Sequence, residues 1–337
     1  MTAPMPAAPP RGTTAPLLEV ADLRVHIPTP RGTVEAVDGV SFALDPGEVV
    51  GVVGESGSGK SMLALSILRL LPPPGHVAGG RIALEGQDLL ALPEPAMRRV
   101  RGGAVGMIFQ DPSASLNPVL RVGKQIRETI EAHQRIGPAA AAQRAVEMLR
   151  AVRIAEPAQR ARDYPHQYSG GMRQRVMIAI GMANRPKLLI ADEPTTALDV
   201  TVQAQIMDLL GAMNVETGTA IVLITHNIAL VSRFCARVLV MYAGRIVESG
   251  PTAAVFGDPR HPYTAALLRA VPRIEARSAA GLVAIEGRPP DLAAKPPGCA
   301  FAPRCARRTA QCEQEAPPAT SPGPGREVRC WNADSGI

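Results

Sequence analysis

Alternating apolar and polar residues dominate the first part of the chain and predict strands. Stretches such as Leu18-Glu19-Val20 alternate within residues 17–53 and are separated by Gly and Pro, which is typical of short strands joined by turns. Arg81–Gln87 has a hairpin-like pattern of the same kind. We therefore predict a β-rich lobe in the N-terminal part of the chain.

Continuous apolar runs predict a second kind of strand. Val49–Val53, Lys187–Ala191 and Ala220–Thr225 do not alternate, as expected for strands of a parallel sheet that is covered on both faces. Ala104–Gln110 is a further predicted strand, and Val202–Met213 has helical spacing between the last two runs. The predicted class is α/β with a parallel-sheet core.

Two other regions differ from this core. Residues 119–160 carry Ala, Leu, Arg and Glu at helical spacing, which predicts an inserted helical subdomain at about residues 111–168. From Pro251 onward the composition shifts to Pro, Ala, Arg and Cys. We divide the chain into a flexible N-terminus (1–16), a main domain (17–255) and a C-terminal extension (256–337).

Charge and composition narrow the classes of function. The net charge is +6, and no run of like charges is long enough for a tail that binds nucleic acid or lipid. No stretch approaches the ~18 consecutive apolar residues of a membrane span, and residues 1–16 lack the order of a signal peptide. We expect a cytoplasmic globular protein that could dock on a membrane protein.

A complete phosphate-binding motif follows the run Val49–Val53. Residues 54–61 read G-E-S-G-S-G-K-S, and a helical pattern begins at Met62. The glycines let phosphate approach the backbone N–H groups at a helix start, while Lys60 would reach the β- and γ-phosphates and Ser61 would coordinate Mg²⁺. The predicted nucleotide-binding residues are Gly54, Glu55, Ser56, Gly57, Ser58, Gly59, Lys60 and Ser61.

Two carboxylates follow the run Lys187–Ala191. Asp192 and Glu193 fall at the carboxyl end of a predicted buried strand, where ligands of such sheets bind. We expect Asp192 to hold Mg²⁺ through water. We expect Glu193 to orient and polarise the attacking water, because phosphoryl transfer depends on positioning and charge stabilisation.

A second glycine turn carries a resemblance to a known family. Tyr168–Arg175 reads Y-S-G-G-M-R-Q-R before a helical stretch, and it resembles the signature sequence of ATP-binding-cassette (ABC) ATPases. Gln110 resembles the Q-loop glutamine, Ala197-Leu198-Asp199 the D-loop, and His226 the switch histidine, in the family's order and spacing. The resemblance implies a P-loop NTPase fold: an ABC cassette with a β-rich ATP-binding lobe, a parallel-sheet core and an inserted helical subdomain.

The resemblance also implies roles for individual residues. Two cassettes would stack head to tail around two ATP molecules, so that Ser169, Gly170 and Gly171 act on the partner's nucleotide. Asp199 would lie near the nucleotide, and Gln110 would join Ser61 and Asp192 at Mg²⁺. Because Glu193 and His226 are both present, this site is expected to hydrolyse ATP. The residues expected to act in cis are Lys60, Ser61, Gln110, Asp192, Glu193 and His226.

One family feature is missing from the first lobe. Residues 24–34 contain no aromatic residue that could stack on adenine. His26 or Arg31 could stack on the base instead, and the sequence leaves both open.

A finer resemblance is to the ATPase subunits of oligopeptide, dipeptide and nickel importers. It rests on residues 110–118 (Q-D-P-S-A-S-L-N-P), residues 166–176 and His261–Leu268 (H-P-Y-T-A-A-L-L), and it extends from about residue 17 to 332. It implies two transmembrane permeases, a second ATPase and, indirectly, an extracytoplasmic substrate-binding protein. The resemblance favours a paralogue as the second ATPase, but the sequence leaves a second copy of this chain open. The chain would then lie peripherally on the cytoplasmic face of the inner membrane. Peptide is the expected cargo, with nickel or another small solute as alternatives.

Four of the five cysteines fall near the C-terminus. In a reducing cytosol such a group favours metal binding over disulfides, and thiolates suit a [4Fe–4S] cluster or tetrahedral zinc. Related dipeptide-importer ATPases have a cluster in this region, so the resemblance favours iron–sulfur over zinc or metal-free thiols. The predicted ligands are Cys299, Cys305, Cys312 and Cys330, whereas Cys235 is expected in the core.

Two other functions agree less well with the sequence than import does. A soluble ABC ATPase acting on ribosomes or nucleic acid would usually carry two cassettes or long coiled-coil insertions, and the sequence has neither. A nucleic-acid-binding metal module in the cysteine tail would need more positive charge and more aromatic residues. We therefore expect no nucleic-acid partner.

Overall fold

The computed structural model describes residues 15–196, 198–271 and 285–333. Most of the predicted flexible N-terminus, and Ala197 of the predicted D-loop, lie outside these residues. The strands are β1 (Leu18–Thr29), β2 (Gly32–Leu44), β3 (Val49–Val53), β4 (His76–Leu84), β5 (Gln87–Asp88), β6 (Val105–Ile108), β7 (Leu188–Asp192), β8 (Ala220–Ile224), β9 (Arg237–Tyr242), β10 (Arg245–Pro251) and β11 (Glu327–Val328). The helices are α1 (Lys60–Ile67), α2 (Glu94–Val100), α3 (Pro112–Ser115), α4 (Val122–Glu131), α5 (Pro138–Ala151), α6 (Pro157–Arg160), α7 (Gly170–Met182), α8 (Val200–Thr217), α9 (Ile228–Phe234), α10 (Thr252–Gly257), α11 (Pro262–Arg269) and α12 (Ala310–Gln314).

These elements form two compact units. The first unit contains the chain up to Leu44, Val49–Leu90 and the chain from Thr225 onward. The second unit contains Asp45–Glu48 and Ala91–Ile224. The phosphate loop therefore belongs to the first unit, and the paired carboxylates belong to the second.

An antiparallel sheet in the first unit forms the predicted β-rich lobe. Its strand order is β2-β1-β4-β5. β1 and β2 pair from Leu18↔Leu44 to Thr29↔Gly32, so two long strands replace the several short ones that were predicted. Irregularities in the pairing register of β1 and β2 let each strand continue where the alternation of apolar and polar residues is interrupted. From the sequence alone, these interruptions resemble strand ends. The hairpin predicted at Arg81–Gln87 is confirmed by the pairing of β4 with β5.

A second group of strands in the first unit leads into the phosphate loop. β3 is buried throughout and runs parallel to β9. β10 pairs antiparallel with β9, and β11 pairs antiparallel with β10. The C-terminal extension thus continues the sheet that contains β9, because β11 comes from residues 327–328.

The loop helix α1 is shorter than predicted. It begins at Lys60 and ends at Ile67, whereas its apolar pattern continues to Leu71. Arg69 has a φ of 52°, and a left-handed residue of this kind ends a right-handed helix.

The second unit contains the predicted parallel strands. β6 pairs parallel with β7, and β7 pairs parallel with β8. Residues 112–160 are mainly helical, as predicted, and they form the four helices α3 to α6. Pro138 and Pro157 stand at the starts of α5 and α6, where the fixed φ and missing N–H of proline are tolerated.

No described helix is both long enough and apolar enough to cross a membrane.

Buried ion pairs attach the C-terminal extension to the rest of the first unit. Lys295 donates to Asp38 at 3.1 Å, and Arg245 donates to the same carboxylate at 2.8 Å. Burial by itself raises the pKa of Asp38, but these two cations outweigh it and hold the pKa below its ordinary value. Further along, Arg326 pairs at 2.9 Å with Glu248, whose side chain is 1% exposed.

Candidate functional site

The phosphate loop turns through glycines that could not be replaced without strain. Gly54 has a φ of 154° and Gly59 a φ of 102°. A Cβ on Gly54 would run into the carbonyl of Met241, and one on Gly59 into the carbonyl of Ala36. Gly57, by contrast, faces open space. The chain therefore turns tightly on its inner side and leaves room for a phosphate group above Gly57.

Lys60 lies inside this loop, at the first position of α1. Its side chain is 6% exposed, and its Nζ donates to the carbonyl oxygens of Gly54 at 2.8 Å and Glu55 at 2.9 Å. A further hydrogen bond joins Nζ to the Ser58 hydroxyl at 3.3 Å. The ammonium group is thus fixed where the loop closes, and it can exchange these neutral partners for phosphate oxygens.

The second unit brings Gln110 and Glu193 together. Glu193 directly follows β7 and has a φ of 48°. Its Oε2 accepts from Gln110 Nε2 at 3.1 Å and from the Thr196 hydroxyl at 2.8 Å. Its N–H donates to the Ile224 carbonyl at 2.8 Å. A non-glycine residue in this conformation costs about 1–3 kcal/mol, so the surrounding bonds hold the carboxylate in a position that the chain does not adopt by default.

Asp192 is the last residue of β7 and is 5% exposed. Carboxylate and hydroxyl oxygens are the ligands that Mg²⁺ accepts, usually together with water and substrate phosphates. Asp192 and Ser61 therefore have the chemistry expected of Mg²⁺ ligands, with the Gln110 amide oxygen as a third candidate. When bound, Mg²⁺ would neutralise charge on the phosphates.

The signature residues begin helix α7. Ser169 is the residue before the helix, and its hydroxyl accepts from the Met172 N–H at 3.3 Å. Gly171 packs so closely on Val202 that a Cβ would lie 2.8 Å from its Cγ1. Tyr168 is buried and donates its hydroxyl to the Arg160 carbonyl at 2.7 Å. Burial raises the pKa of Tyr168 to about 12, so the phenol stays a donor.

Two more predicted residues have defined places. Asp199 precedes α8 and accepts from the Val202 N–H at 2.9 Å, so its carboxylate caps that helix. His226 is exposed and follows Thr225, whose N–H donates to the Val52 carbonyl in the first unit. The roles assigned to these residues stay predictions.

The four C-terminal cysteines share one module of the extension. The Cys299 N–H donates to the Cys312 carbonyl at 2.7 Å. Burial raises the pKa of Cys299 to about 11, with a further increase from the other three thiols. Within the described residues, however, no three His, Cys, Asp or Glu side chains form a group that could hold a metal ion. The arrangement of these thiols therefore does not support the predicted metal centre. Cys235 is 6% exposed, which confirms its place in the core.

Two residues beside the phosphate loop were missed by the sequence analysis. The Glu55 N–H donates to the Tyr263 hydroxyl at 2.7 Å, and the Glu55 carboxylate binds the guanidinium of Arg304. Tyr263 belongs to the H-P-Y-T motif and Arg304 precedes Cys305. Both residues therefore lie in sequence motifs of the extension. No local pattern in the sequence indicates that these motifs contact the nucleotide site.

His261 of the same motif supports Tyr263. Its ring is 1% exposed, and its Nδ1 accepts from the Tyr263 N–H at 3.0 Å. Burial lowers the pKa of His261 from 6.5 to about 3. The ring is therefore neutral in the folded protein at physiological pH.

This buried histidine predicts a loss of stability in acid. Above pH 6.5 the ring is neutral in both the folded and the unfolded state, but between pH 6.5 and about 3 only the unfolded state takes up the proton. As the pH falls through this window, the free energy of unfolding should fall by up to about 1.4 kcal/mol per pH unit from His261 alone. Urea unfolding at pH 7 and 5.5 should show a weaker pH dependence in His261→Asn, which keeps a capping acceptor. An equal change in the free energy of unfolding between pH 7 and 5.5 in both proteins would contradict the role assigned to His261.

Comparison with known proteins agrees with this geometry. Residues 37–196 match the family model "ABC transporter", and residues 247–312 match "Oligopeptide/dipeptide transporter, C-terminal region". The chain is 49% identical over 316 residues to the oligopeptide transport ATP-binding protein OppD of Bacillus subtilis, covering 94% of this chain and 88% of that protein. It is 50% identical to OppD of Salmonella typhimurium, covering 94% and 93%.

A solved structure has the same cassette. The dimeric post-hydrolysis state of the ATP-binding cassette MJ0796, bound to ADP and Pi, superposes with a TM-score of 0.64 at 27% identity. The aligned region covers 70% of this chain and 98% of the MJ0796 chain. The fold and the phosphate loop define an ATP-hydrolysing enzyme of the ABC type. The chain belongs to the ABC transporter family, and its C-terminal region belongs to the oligopeptide/dipeptide transporter type.

Proposed function

We propose that this ATPase powers a bacterial ABC importer of oligopeptides or dipeptides. The observation that carries the proposal is the extent of the similarity: relatives described as oligopeptide transport ATP-binding proteins match 94% of the chain, including the C-terminal extension. No similarity favours the alternative of a soluble ATPase on ribosomes or nucleic acid. Nickel or another small solute is the alternative cargo, and the experiment below distinguishes it from peptide.

The catalytic roles follow from the two groups of residues described above. Lys60 and the loop from Gly54 to Ser61 bind the phosphates, and Glu193 orients the attacking water while Gln110 holds its carboxylate. His226 acts at the same site as the switch histidine. Ser169, Gly170, Gly171 and Asp199 act on nucleotide shared with a second ATPase. Hydrogen bonds from Gln110 and Thr196 to Oε2 fix the direction of the Glu193 carboxylate, which is proposed to act on the attacking water.

The partners of the chain are two transmembrane permeases and a second, paralogous ATPase. A substrate-binding protein outside the cytoplasm would deliver the cargo without touching this chain. The chain itself would lie peripherally on the cytoplasmic face of the inner membrane, in contact with the permeases.

Purification of the tagged chain from its native membranes in mild detergent tests this assembly. Mass spectrometry should identify two polytopic permeases and a second ATPase, and peptide bound to the companion binding protein would name the cargo. Nickel on that binding protein would change the cargo and keep the importer. Ribosomal proteins or nucleic acid without permeases would overturn the import proposal.

We also propose that the four C-terminal thiols bind a [4Fe–4S] cluster. The proposal is supported by the soft donor set of four thiols within residues 299–330. The described arrangement brings no three of these side chains together as a metal-binding group, so the thiols would have to converge when the cluster forms. Anaerobically purified protein should contain iron and acid-labile sulfide in equal amounts, and Cys312→Ser should lose both. Cys235→Ser is the matched control and should retain them. Zinc without sulfide, or no metal in protein prepared anaerobically, would contradict the proposal.

A further inference from the structure

The C-terminal extension contacts the phosphate loop through Arg304 and Glu55. Arg304 Nη1 donates to Glu55 Oε2 at 2.6 Å, and Nη2 donates to Oε1 at 3.0 Å. This is a bidentate pair, the strongest geometry for an arginine and a carboxylate. The Arg304 side chain is 4% exposed and that of Glu55 is 24% exposed, so the pair is largely shielded from the solvent that weakens surface ion pairs.

Arg304 is itself held rigidly within the first unit. Its Nε donates to the Glu286 carbonyl at 2.9 Å, and Nη2 also donates to the Ile285 carbonyl at 3.2 Å. The guanidinium carbon lies 5.9 Å from the ring centroids of both Tyr242 and Phe301. A guanidinium fixed on several sides can transmit its own position to the carboxylate that it binds.

Glu55 is the second residue of the phosphate loop, and its backbone is held as well. Its N–H donates to Tyr263, and its carbonyl accepts from Lys60 at 2.9 Å. The same residue therefore connects the C-terminal extension to the lysine that is expected to bind the β- and γ-phosphates. A change in the position of Glu55 would move the Lys60 anchor and the neighbouring N–H groups together.

Arg304 belongs to the segment that carries the cysteines. A short 3-10 turn, Ala302–Arg304, falls between Cys299 and Cys305. The Ala302 N–H donates to the Cys299 carbonyl at 2.9 Å, and Cys299 is tied in turn to Cys312 at 2.7 Å. Arg304 is the last residue of this turn and directly precedes Cys305, so it is part of the same short segment as the cysteines.

We propose that Arg304 is a positioning residue for ATP binding, through which the C-terminal extension acts on the phosphate loop. By fixing Glu55, it holds the phosphate loop and Lys60 in the conformation that receives the phosphates. A loop that is already ordered loses less conformational entropy when the ligand binds. The inference concerns ATP binding by the cassette and is independent of the transported cargo.

Steady-state kinetics of the full-length protein in its transporter complex test this role. Arg304→Gln should raise the KM for ATP on the order of tenfold, which corresponds to a loss of about 1.4 kcal/mol in binding. The value of kcat should change little, because Glu193 and Gln110 are not altered. Glu55→Gln should give the same result, and the double variant should be no worse than either single variant, since both remove one interaction.

Two further variants separate positioning from general destabilisation. Arg326→Gln breaks another buried ion pair of the extension, with Glu248 at 2.9 Å, which includes no residue of the phosphate loop. It should lower the Tm without changing the KM for ATP. Arg304→Lys keeps the charge but loses the bidentate fork, so it should fold and show an intermediate KM.

The outcomes are decisive in either direction. An unchanged KM in both Arg304→Lys and Glu55→Gln would overturn the proposal. An equal rise of KM in Arg326→Gln would do the same, because the effect would then come from loss of stability. Additive effects in the double variant would show that Arg304 and Glu55 act separately. Should Arg304→Gln fail to fold, the comparison of Glu55→Gln with Arg326→Gln still tests the proposal.

Discussion

Replacing Glu193 with glutamine is expected to lower the steady-state rate of ATP hydrolysis on the order of 10³-fold while ATP binding is retained. The amide keeps the size of the side chain and can still pair with Gln110 and Thr196, which contact Oε2 in the wild-type protein. It cannot accept a proton from water or polarise it as a carboxylate does. Phosphate release at saturating ATP measures the rate, and retention of ATP after rapid gel filtration measures binding.

Glu147→Gln is the matched control for this change. Glu147 lies on α5, is 40% exposed and pairs with Arg144 at 3.3 Å. Removing an exposed partial pair of this kind changes stability by less than about 1 kcal/mol, and hydrolysis should proceed at the wild-type rate. If the Glu193 variant hydrolysed ATP as fast as this control, Glu193 would not be the residue that activates water.

Replacing Lys60 with methionine is expected to weaken ATP binding on the order of 100-fold. The ammonium is the buried cation of the phosphate loop, and it is bonded to the carbonyls of Gly54 and Glu55. Methionine fills a similar volume but cannot offset the charge of the phosphates. Isothermal titration of the full-length protein with ATP, in the Glu193→Gln background that prevents turnover, measures the Kd directly.

Lys60→Met should therefore lose affinity for ATP. Glu193→Gln alone, by contrast, should hydrolyse ATP more slowly and keep its affinity for ATP. Lys124→Met provides the control, because Lys124 is 47% exposed on α4 and pairs weakly with Glu128 at 3.6 Å. Its Kd for ATP should equal that of the Glu193→Gln background. A Lys60 variant with the same Kd as the Lys124 control would remove Lys60 from the phosphate site.

The sequence predicted the elements that carry local signals. The turn from Gly54 to Gly59 is specified by glycines whose backbone conformations other residues avoid. Strands β7 and β8 are continuous apolar runs, and this composition is required of strands buried on both faces. Element ends were less predictable: α1 stops before Leu71 because Arg69 is left-handed, which its side chain does not reveal.

Part of the candidate site was also readable in advance. Gln110 and Glu193 were assigned to one reaction from motif order, and the structure joins them at 3.1 Å. The metal prediction was less successful. Four cysteines in one segment indicate soft-metal chemistry, yet their described arrangement contains no group that could hold a metal ion. Composition identifies possible ligands, whereas the backbone determines whether they converge.

By itself, the sequence determined the nucleotide chemistry of this protein, its α/β class and its family. These depend on short motifs whose conformations are dictated by neighbouring residues. Only the tertiary structure decided that the extension supports the phosphate loop. Tyr263 and Arg304 reach Glu55 across 208 and 249 residues of chain. Contacts at that separation depend on how the whole first unit packs and leave no periodic or local pattern in the sequence.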